Sequence, residues 1–192
     1  MANTYALNED FFIRFKDATA TTPFTLDLEG VESGTEVPKG VRTIPQWRAV
    51  HRKNKFINYK KDLEEVPEVT MDFTVIVVDD YFKGTGVDAR HAIEQWFANK
   101  KAWDATGSEW VDLVSTNNET TPATLVRTDS DNFTVEMQIL WDNTNEDKAT
   151  GYLFKWVELI DYKFVNDDDL KMTMTVRVLT RDSEVEYIQA LS

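Results

Sequence analysis

The run Gly84-Thr85-Gly86-Val87-Asp88-Ala89 fits G-x-G-x-x-A, a pattern in which glycines let the backbone approach a pyrophosphate at a helix N-terminus. It falls between an expected strand and an expected helix, so nucleotide binding has to be weighed. Such a site needs a parallel sheet with repeated crossover helices, whereas the chain downstream alternates with a period of two. Asp79, Asp80 and Asp88 would also set negative charge beside any phosphate. The run reads instead as a turn that ends in a helix cap. Histidine chemistry is restricted to His51 and His91, without H-x-x-x-H spacing, and each reads as a solvent-facing or partly packed imidazole. Asp167, Asp168 and Asp169 are consecutive and lack the alternating ligands of a calcium loop. Paired carboxylates such as Glu64 and Glu65 point apart on an extended chain and make poor acid and base partners. The chain has no cysteine, which removes disulfides, thiolate metal sites and thiol nucleophiles. Nucleophile elbows, P-loops and kinase motifs are missing too. No catalytic activity, cofactor or metal is expected.

The elements behind these residues are mostly strands. Phe133, Val135, Met137, Ile139 and Trp141 alternate with Thr134, Glu136 and Gln138, and Val69, Met71, Phe73, Val75 and Val77 with Thr70, Asp72 and Thr74. Each run reads as an antiparallel strand with one wet face. Similar alternation marks Phe11 to Phe15, Phe24 to Leu28 and Met172 to Val178, with weaker strands at Trp110 to Val114, Thr124 to Thr128 and Val185 to Ala190. From Tyr152 to Phe164 the even positions are apolar except Glu158, where Val157 and Leu159 take over, which predicts a bulge there. One segment has helical spacing instead: Ala89, Ala92, Ile93, Trp96 and Phe97, with Asp88 as N-cap and Lys100 and Lys101 at the C-terminal end. The fold class is therefore mainly β, an antiparallel sandwich or barrel with one flanking helix and a long basic inter-strand loop. Its expected core is Phe73, Val75, Trp96, Phe97, Met137, Ile139, Trp156 and Val176.

With 192 residues, 42% of them hydrophobic, and seven Gly and five Pro spread without a compositional break, the chain is expected to be one domain, 1–192, with 33–66 as a long loop or arm. No run approaches 18 apolar residues and the start lacks a signal-peptide pattern, so no membrane association is expected and synthesis in the cytoplasm is.

Charge is strongly segregated. The net value is −13, yet 38–61 holds Lys39, Arg42, Arg48, Arg52, Lys53, Lys55, Lys60 and Lys61 and no acid, a charge of +8. The remainder holds 13 basic and 34 acidic residues, a balance of −21. Trp47, Phe56 and Tyr59 are interleaved with the cations. Three explanations stand side by side: a groove for nucleic acid with stacking platforms, a head-to-tail contact with the acidic remainder of another copy, and a long loop folded back on its own acidic sheet.

In this order of elements, with the long loop through Lys39 to Lys61, the helix from Asp88 and the closing strands to Ile188, the chain resembles the major tail tube proteins of long-tailed, siphovirus-like bacteriophages. The resemblance spans most of the chain and has no short signature motif. It implies a structural, non-enzymatic virion protein, made in the host cytoplasm, that assembles into stacked hexameric rings. Its partners would be further copies, a tape measure protein and other tail proteins, with phage DNA passing through the lumen unbound. It also implies ring contacts through Lys39, Arg42, Trp47, Arg48, Arg52, Lys53, Lys55, Phe56 and Tyr59, and a lumen lined by Asp72, Thr74, Glu136 and Gln138. The alternative is a nucleic-acid-binding β-barrel module using 38–61.

Overall fold

The computed structural model describes residues 11–28, 31–32, 36–42, 47–52, 55–61, 68–77, 87–118, 133–143, 148–166 and 170–191. The strands among them are β1 (Phe11–Lys16), β2 (Thr25–Leu28), β3 (Trp47–Arg52), β4 (Lys55–Lys61), β5 (Val69–Ile76), β6 (Lys101–Asp104), β7 (Glu109–Asp112), β8 (Val135–Asn143), β9 (Lys148–Asn166), β10 (Leu170–Val178) and β11 (Glu186–Leu191). Helix α1 spans Ala89–Glu94. The expected strand at Thr124 to Thr128 lies outside the described residues, as do Gly84 to Gly86 and Asp167 to Asp169.

The main sheet runs β2-β1-β8-β9-β10-β5, antiparallel throughout, with β11 also on β9. Its organiser is β9, whose 19 residues extend about 60 Å at the usual rise per residue. The first half of β9 pairs with β8 up to Val157 and the second half pairs with β10 from Val157 onward. The result is two half-sheets that share one strand. They face each other: Phe15 of β1 stacks on Phe73 of β5 at 6.4 Å although three strands separate β1 from β5 in the sheet. Ile13, Phe15, Leu26 and Leu28 from one half and Met71, Phe73, Val75, Met172, Met174 and Val176 from the other are buried in the same core. This is a sandwich. The described strands do not close into a barrel: β2 and β5 do not pair, and they are linked only where Val31 bridges Val75 and the Glu32 amide donates to the Thr74 carbonyl at 2.9 Å.

Half-burial of alternate residues explains why these strands form and which way they face. Along β5, Met71, Phe73 and Val75 are buried while Thr70 and Asp72 are exposed, the period of a pleated strand. Strand β9 departs from that rule, and it does so twice. Opposite β8, Val135 pairs with Val157 but Met137 with Phe154; opposite β10, Thr175 pairs with Asp161 but Val176 with Leu159. One extra residue therefore enters near Trp156 and another at Ile160, each reversing the side on which the next side chains fall. The inward set becomes Phe154, Val157, Leu159, Tyr162 and Phe164. The single bulge expected at Glu158 is thus a pair of bulges flanking it. Trp156, expected in the main core, is buried in a separate cluster with Leu179, and Ile160 is 43% exposed. The other expected core residues are in the main core.

β10 and β11 do not pair with each other. They follow one another along the same edge of β9, separated by a 3-10 turn at Asp182–Glu184. Gly40 lies against that turn: a Cβ there would sit 2.5 Å from Asp182 Cα. Gly151 is equally constrained, since its Cβ would fall 1.9 Å from the Ile139 carbonyl oxygen.

Asp88 caps α1 through its carboxylate, which accepts the His91 amide at 3.0 Å. The helix was expected to reach about Lys101. It stays α-helical to Glu94, widens into a π turn over Gln95–Asn99, and stops at Lys100, whose φ of 56° is left-handed. The wider turn carries Trp96 and Phe97 inward, where Phe97 meets Phe15 edge-on at 5.4 Å and lies 6.0 Å from Tyr162. A left-handed non-glycine residue costs about 1 kcal/mol. Lys100 offsets this by donating from Nζ to the Phe97 carbonyl at 2.7 Å, with Nζ 5.2 Å from the Phe133 ring centroid.

Candidate functional site

The basic segment contains an antiparallel hairpin, β3 on β4, rather than an unbroken loop. Arg52 faces Lys55 across a two-residue connection, and a register shift lies between Val50 and His51. Lys39 and Arg42 are exposed in the approach to it. Neither strand of the hairpin makes an extended contact with any other described strand or with α1. The start of the segment does fold back, since the Val41 amide donates to the Thr180 carbonyl at 2.8 Å and the Val41 carbonyl accepts the Asp182 amide at 2.9 Å, beside a parallel bridge to Arg181.

Register adds a second point. Arg48 lies directly opposite Lys60, and Arg52 opposite Lys55. Like charges facing each other across a ladder destabilise it, and a two-stranded hairpin is marginal in water to begin with. Trp47 is opposite Lys61, Tyr59 opposite Ala49 and Phe56 opposite His51. The structure thus gathers Trp47, Arg48, Arg52, Lys55, Phe56 and Tyr59 in one ribbon. Lys53 lies outside the described residues, and of the side chains in the set on β3 and β4 the structure describes that of Lys55, which is exposed.

The four residues expected to line a lumen divide into two pairs on different half-sheets. Asp72 is exposed and accepts the Thr175 hydroxyl at 2.5 Å, while the Thr74 and Thr173 hydroxyls are 3.3 Å apart. This pair belongs to a threonine-rich outer face of β5 and β10. Arg177 on that face donates to Glu68 at 2.6 Å and to Glu158 at 2.9 Å. Burial works to lower the Arg177 pKa, but the hydrogen bond and charge of Glu68, with the charge of Glu158, hold it above its usual value. On the other half-sheet Glu136 accepts from Gln138 Nε2 at 2.7 Å. Gln138 is only 6% exposed, and its Oε1 is buried without a hydrogen-bond partner. Beside it Arg14 grips Asp27 with two 2.7 Å bonds, which raise the Arg14 pKa against the cost of burial. Of the four, Asp72 has the open surface that a lumen needs and Gln138 does not.

A second hairpin, β6 on β7, was missed in the sequence beyond its second strand. Its signal was there: Gly107 stands midway between Trp103 and Trp110, which face each other in the ladder and meet edge-on at 5.3 Å. His91, from α1, meets the Trp110 ring at 5.2 Å. Asp104 lies directly opposite Glu109. A Cβ on Gly107 would meet Asp104 Oδ2 at 3.1 Å and Glu109 Oε1 at 3.3 Å, so both carboxylates converge on the hairpin tip. Neither carboxylate has an ion-pair partner among the described residues, and Asp112 nearby is 84% exposed with Lys101 Nζ at 3.5 Å.

Among the described residues no group of three or more His, Cys, Asp or Glu is placed to hold a metal ion. No described helix is long and apolar enough to cross a membrane.

No protein-family model matches the sequence, and no curated protein does. Chains in several solved structures match it at low identity. A chain of the sheath-tube complex of an extracellular contractile injection system in its extended state is 9% identical, with 98% of this chain and 94% of that one covered and a TM-score of 0.46. A chain of the anti-feeding prophage baseplate is 9% identical, with 97% of each covered and a TM-score of 0.44. The SPP1 tail tube is 8% identical, with 98% of this chain and 81% of that one covered and a TM-score of 0.41.

Proposed function

We propose that this chain is a non-enzymatic structural subunit that assembles with copies of itself into stacked hexameric rings, forming a phage tail tube through which DNA passes at ejection. The observation that carries this reading is the β3–β4 hairpin: a cationic ribbon within a +8 segment, making no extended contact with the other described strands or with α1, in a chain whose remainder carries −21. Attraction between unlike regions of identical molecules favours head-to-tail contacts, which propagate into stacks, over the pairing of like patches.

Within a ring, the open edges supply the joints. β2 ends the sheet on one side, the edge of β5 is bridged by Val31 and Glu32 only at Thr74 and Val75, and β9 beyond Val157 pairs with β10 on one side and with no described strand on the other. Unpaired edges template pairing with another chain, and closing them in a ring removes the liability. The face with Asp72 and Thr74 would line the lumen. Six copies at −13 each carry −78, and a net negative conduit repels phosphates, so DNA slides without sticking. Lys39, Arg42, Arg48, Arg52, Lys53 and Lys55 would join successive rings, with Trp47, Phe56 and Tyr59 adding apolar contact. A tape measure protein inside and other tail proteins at the ends would be the partners, in a virion assembled in the host cytoplasm.

The experiment is replacement of Arg48, Arg52, Lys53 and Lys55 together by Glu. A folded monomer that no longer polymerises is the expected result, and normal tubes from that variant would sink the reading. A two-stranded basic ribbon is also a shape that a nucleic-acid groove admits. A salt-dependent shift of labelled single-stranded DNA at micromolar protein would favour that alternative.

A further inference from the structure

The two hairpins carry opposite charge next to their turns. β3–β4 sets cation opposite cation at Arg52/Lys55, and again at Arg48/Lys60, whereas β6–β7 sets acid opposite acid at Asp104/Glu109 and pairs Lys101 with Asp112 at its far end. Each like-charged pair opposes its own ladder, and each hairpin is a two-stranded sheet separate from the main one. They do not relieve each other within one chain, since the structure shows no extended contact between them. The acidic hairpin also has what a cationic ribbon can lie against. Trp103 and Trp110 are half-buried side by side, on the same ladder face as the Lys101–Asp112 ion pair and on the face opposite Asp104 and Glu109, with His91 closing one side. A guanidinium or ammonium over an indole face gains a cation–π contact, more so once water is excluded.

We infer that the β6–β7 hairpin is the acceptor for the β3–β4 hairpin of a second copy of this chain. Arg52 and Lys55, at the turn end of the basic ribbon, lie across the Trp103/Trp110 face and meet Asp112, while Asp104 and Glu109, whose carboxylates converge at the hairpin tip, add negative charge at its end. The inference rests on the self-assembly reading above and adds to it the receiving surface. It also brings the like-charged Arg52/Lys55 and Asp104/Glu109 pairs near charge of the opposite sign when the copies meet. The two hairpins of one chain occupy different contacts, so the interaction repeats from copy to copy and does not close on a pair.

The cysteine-free sequence allows a direct test in the full chain. Three single-cysteine proteins are made, Lys55→Cys, Asp112→Cys and, as a control on another exposed surface, Tyr187→Cys (57% exposed). Equimolar mixtures are treated with a short bismaleimide and the cross-linked dimer is measured, while sedimentation velocity on the unsubstituted protein reports assembly independently. The mixture of K55C with D112C is expected to give at least tenfold more dimer than K55C with Y187C, and to lose that excess in 1 M salt, where the Debye length is about 3 Å. Equal yields in the two mixtures, with assembled unsubstituted protein, overturn this acceptor and leave self-assembly standing. Equal yields with a monomeric unsubstituted protein overturn both. As a second arm, Trp103→Ser with Trp110→Ser is expected to lower the K55C–D112C yield at least threefold in protein whose far-ultraviolet circular dichroism is unchanged. An unchanged yield would remove the indole pair from the contact.

Discussion

The sandwich and the β3–β4 hairpin are made from the same chain by opposite means. In the sandwich β1, β2, β5, β8, β9 and β10 each turn an apolar face inward, and long-range contacts such as Phe15 on Phe73 and Phe97 on Phe15 hold the half-sheets together. In the hairpin the ladder itself sets Arg48 against Lys60 and Arg52 against Lys55. One region gets its stability from within, and the other is left with charge that only something outside it can balance. Substitutions should therefore separate cleanly, those in the sandwich acting on folding and those in the hairpin acting on association.

The sharpest way to break the comparison is at Gly151. Any side chain there drives a Cβ onto the Ile139 carbonyl oxygen at the β8–β9 joint, with no flexible group to yield. Gly151→Val is expected to cost at least about 3 kcal/mol, read from urea unfolding; a loss under about 1 kcal/mol would mean that β8 and β9 are not paired in this register. Phe154→Ala removes a fully buried ring next to the first bulge and should cost about 3–5 kcal/mol. If β9 kept only the first bulge, the residues beyond Ile160 would exchange faces and the polar change Phe164→Asn would be tolerated. With two bulges Phe164 packs against the core, and the change should destabilise by about 1–3 kcal/mol. Against these, changing Arg48, Arg52, Lys53 and Lys55 to Glu should move the unfolding midpoint by no more than surface substitutions do, about ±0.5 kcal/mol. A large loss would place the hairpin in the folding core and abolish the distinction.

The smallest effect sharpens the boundary between the regions at Lys100, where α1 hands over to β6. Burial depresses the Lys100 pKa, against the pull of Glu158. Below its folded pKa the native state holds a charge it disfavours. Between the folded value and the higher unfolded value the unfolded chain binds more protons, so stability rises with pH across that window. Urea titrations of the native protein and of Lys100→Met at several pH values should show this rise in the first and its loss in the second. Identical pH dependence would mean that the ammonium is fully hydrated.

What the sequence made legible follows the same division. β5, β8 and β10 were readable because a strand with one buried face must alternate, and Met71, Phe73 and Val75 or Met137 and Ile139 obey that rule without interruption. Along β9 the pattern of even apolar residues broken at Glu158 was also readable, but as one bulge. Two slips of one residue restore the original phase, so the sequence shows the deviation at its centre while the structure places the extra residues on either side. The helix start was legible from Asp88, whereas its end was not, because a π turn keeps Trp96 and Phe97 buried at a spacing that an α-helix also suits. In the hairpins charge masked the pairing: the basic residues of β3 and β4 read as part of one cationic run, and β6 and β7 are four residues each. Arg48, Arg52 and Lys55 were singled out from composition; their arrangement opposite like charges required the register.

The central claim is that the acidic body and the basic hairpin attract each other between copies. Sedimentation velocity of the native chain, from dilute to several milligrams per millilitre and with negative-stain electron microscopy of the same samples, tests it most directly when the four-Glu variant is run alongside. The account predicts rings or hollow tubes of uniform width from the native chain and a folded monomer from the variant at every concentration. Indistinguishable behaviour of the two proteins, whether both polymerise or both stay monomeric, would contradict it.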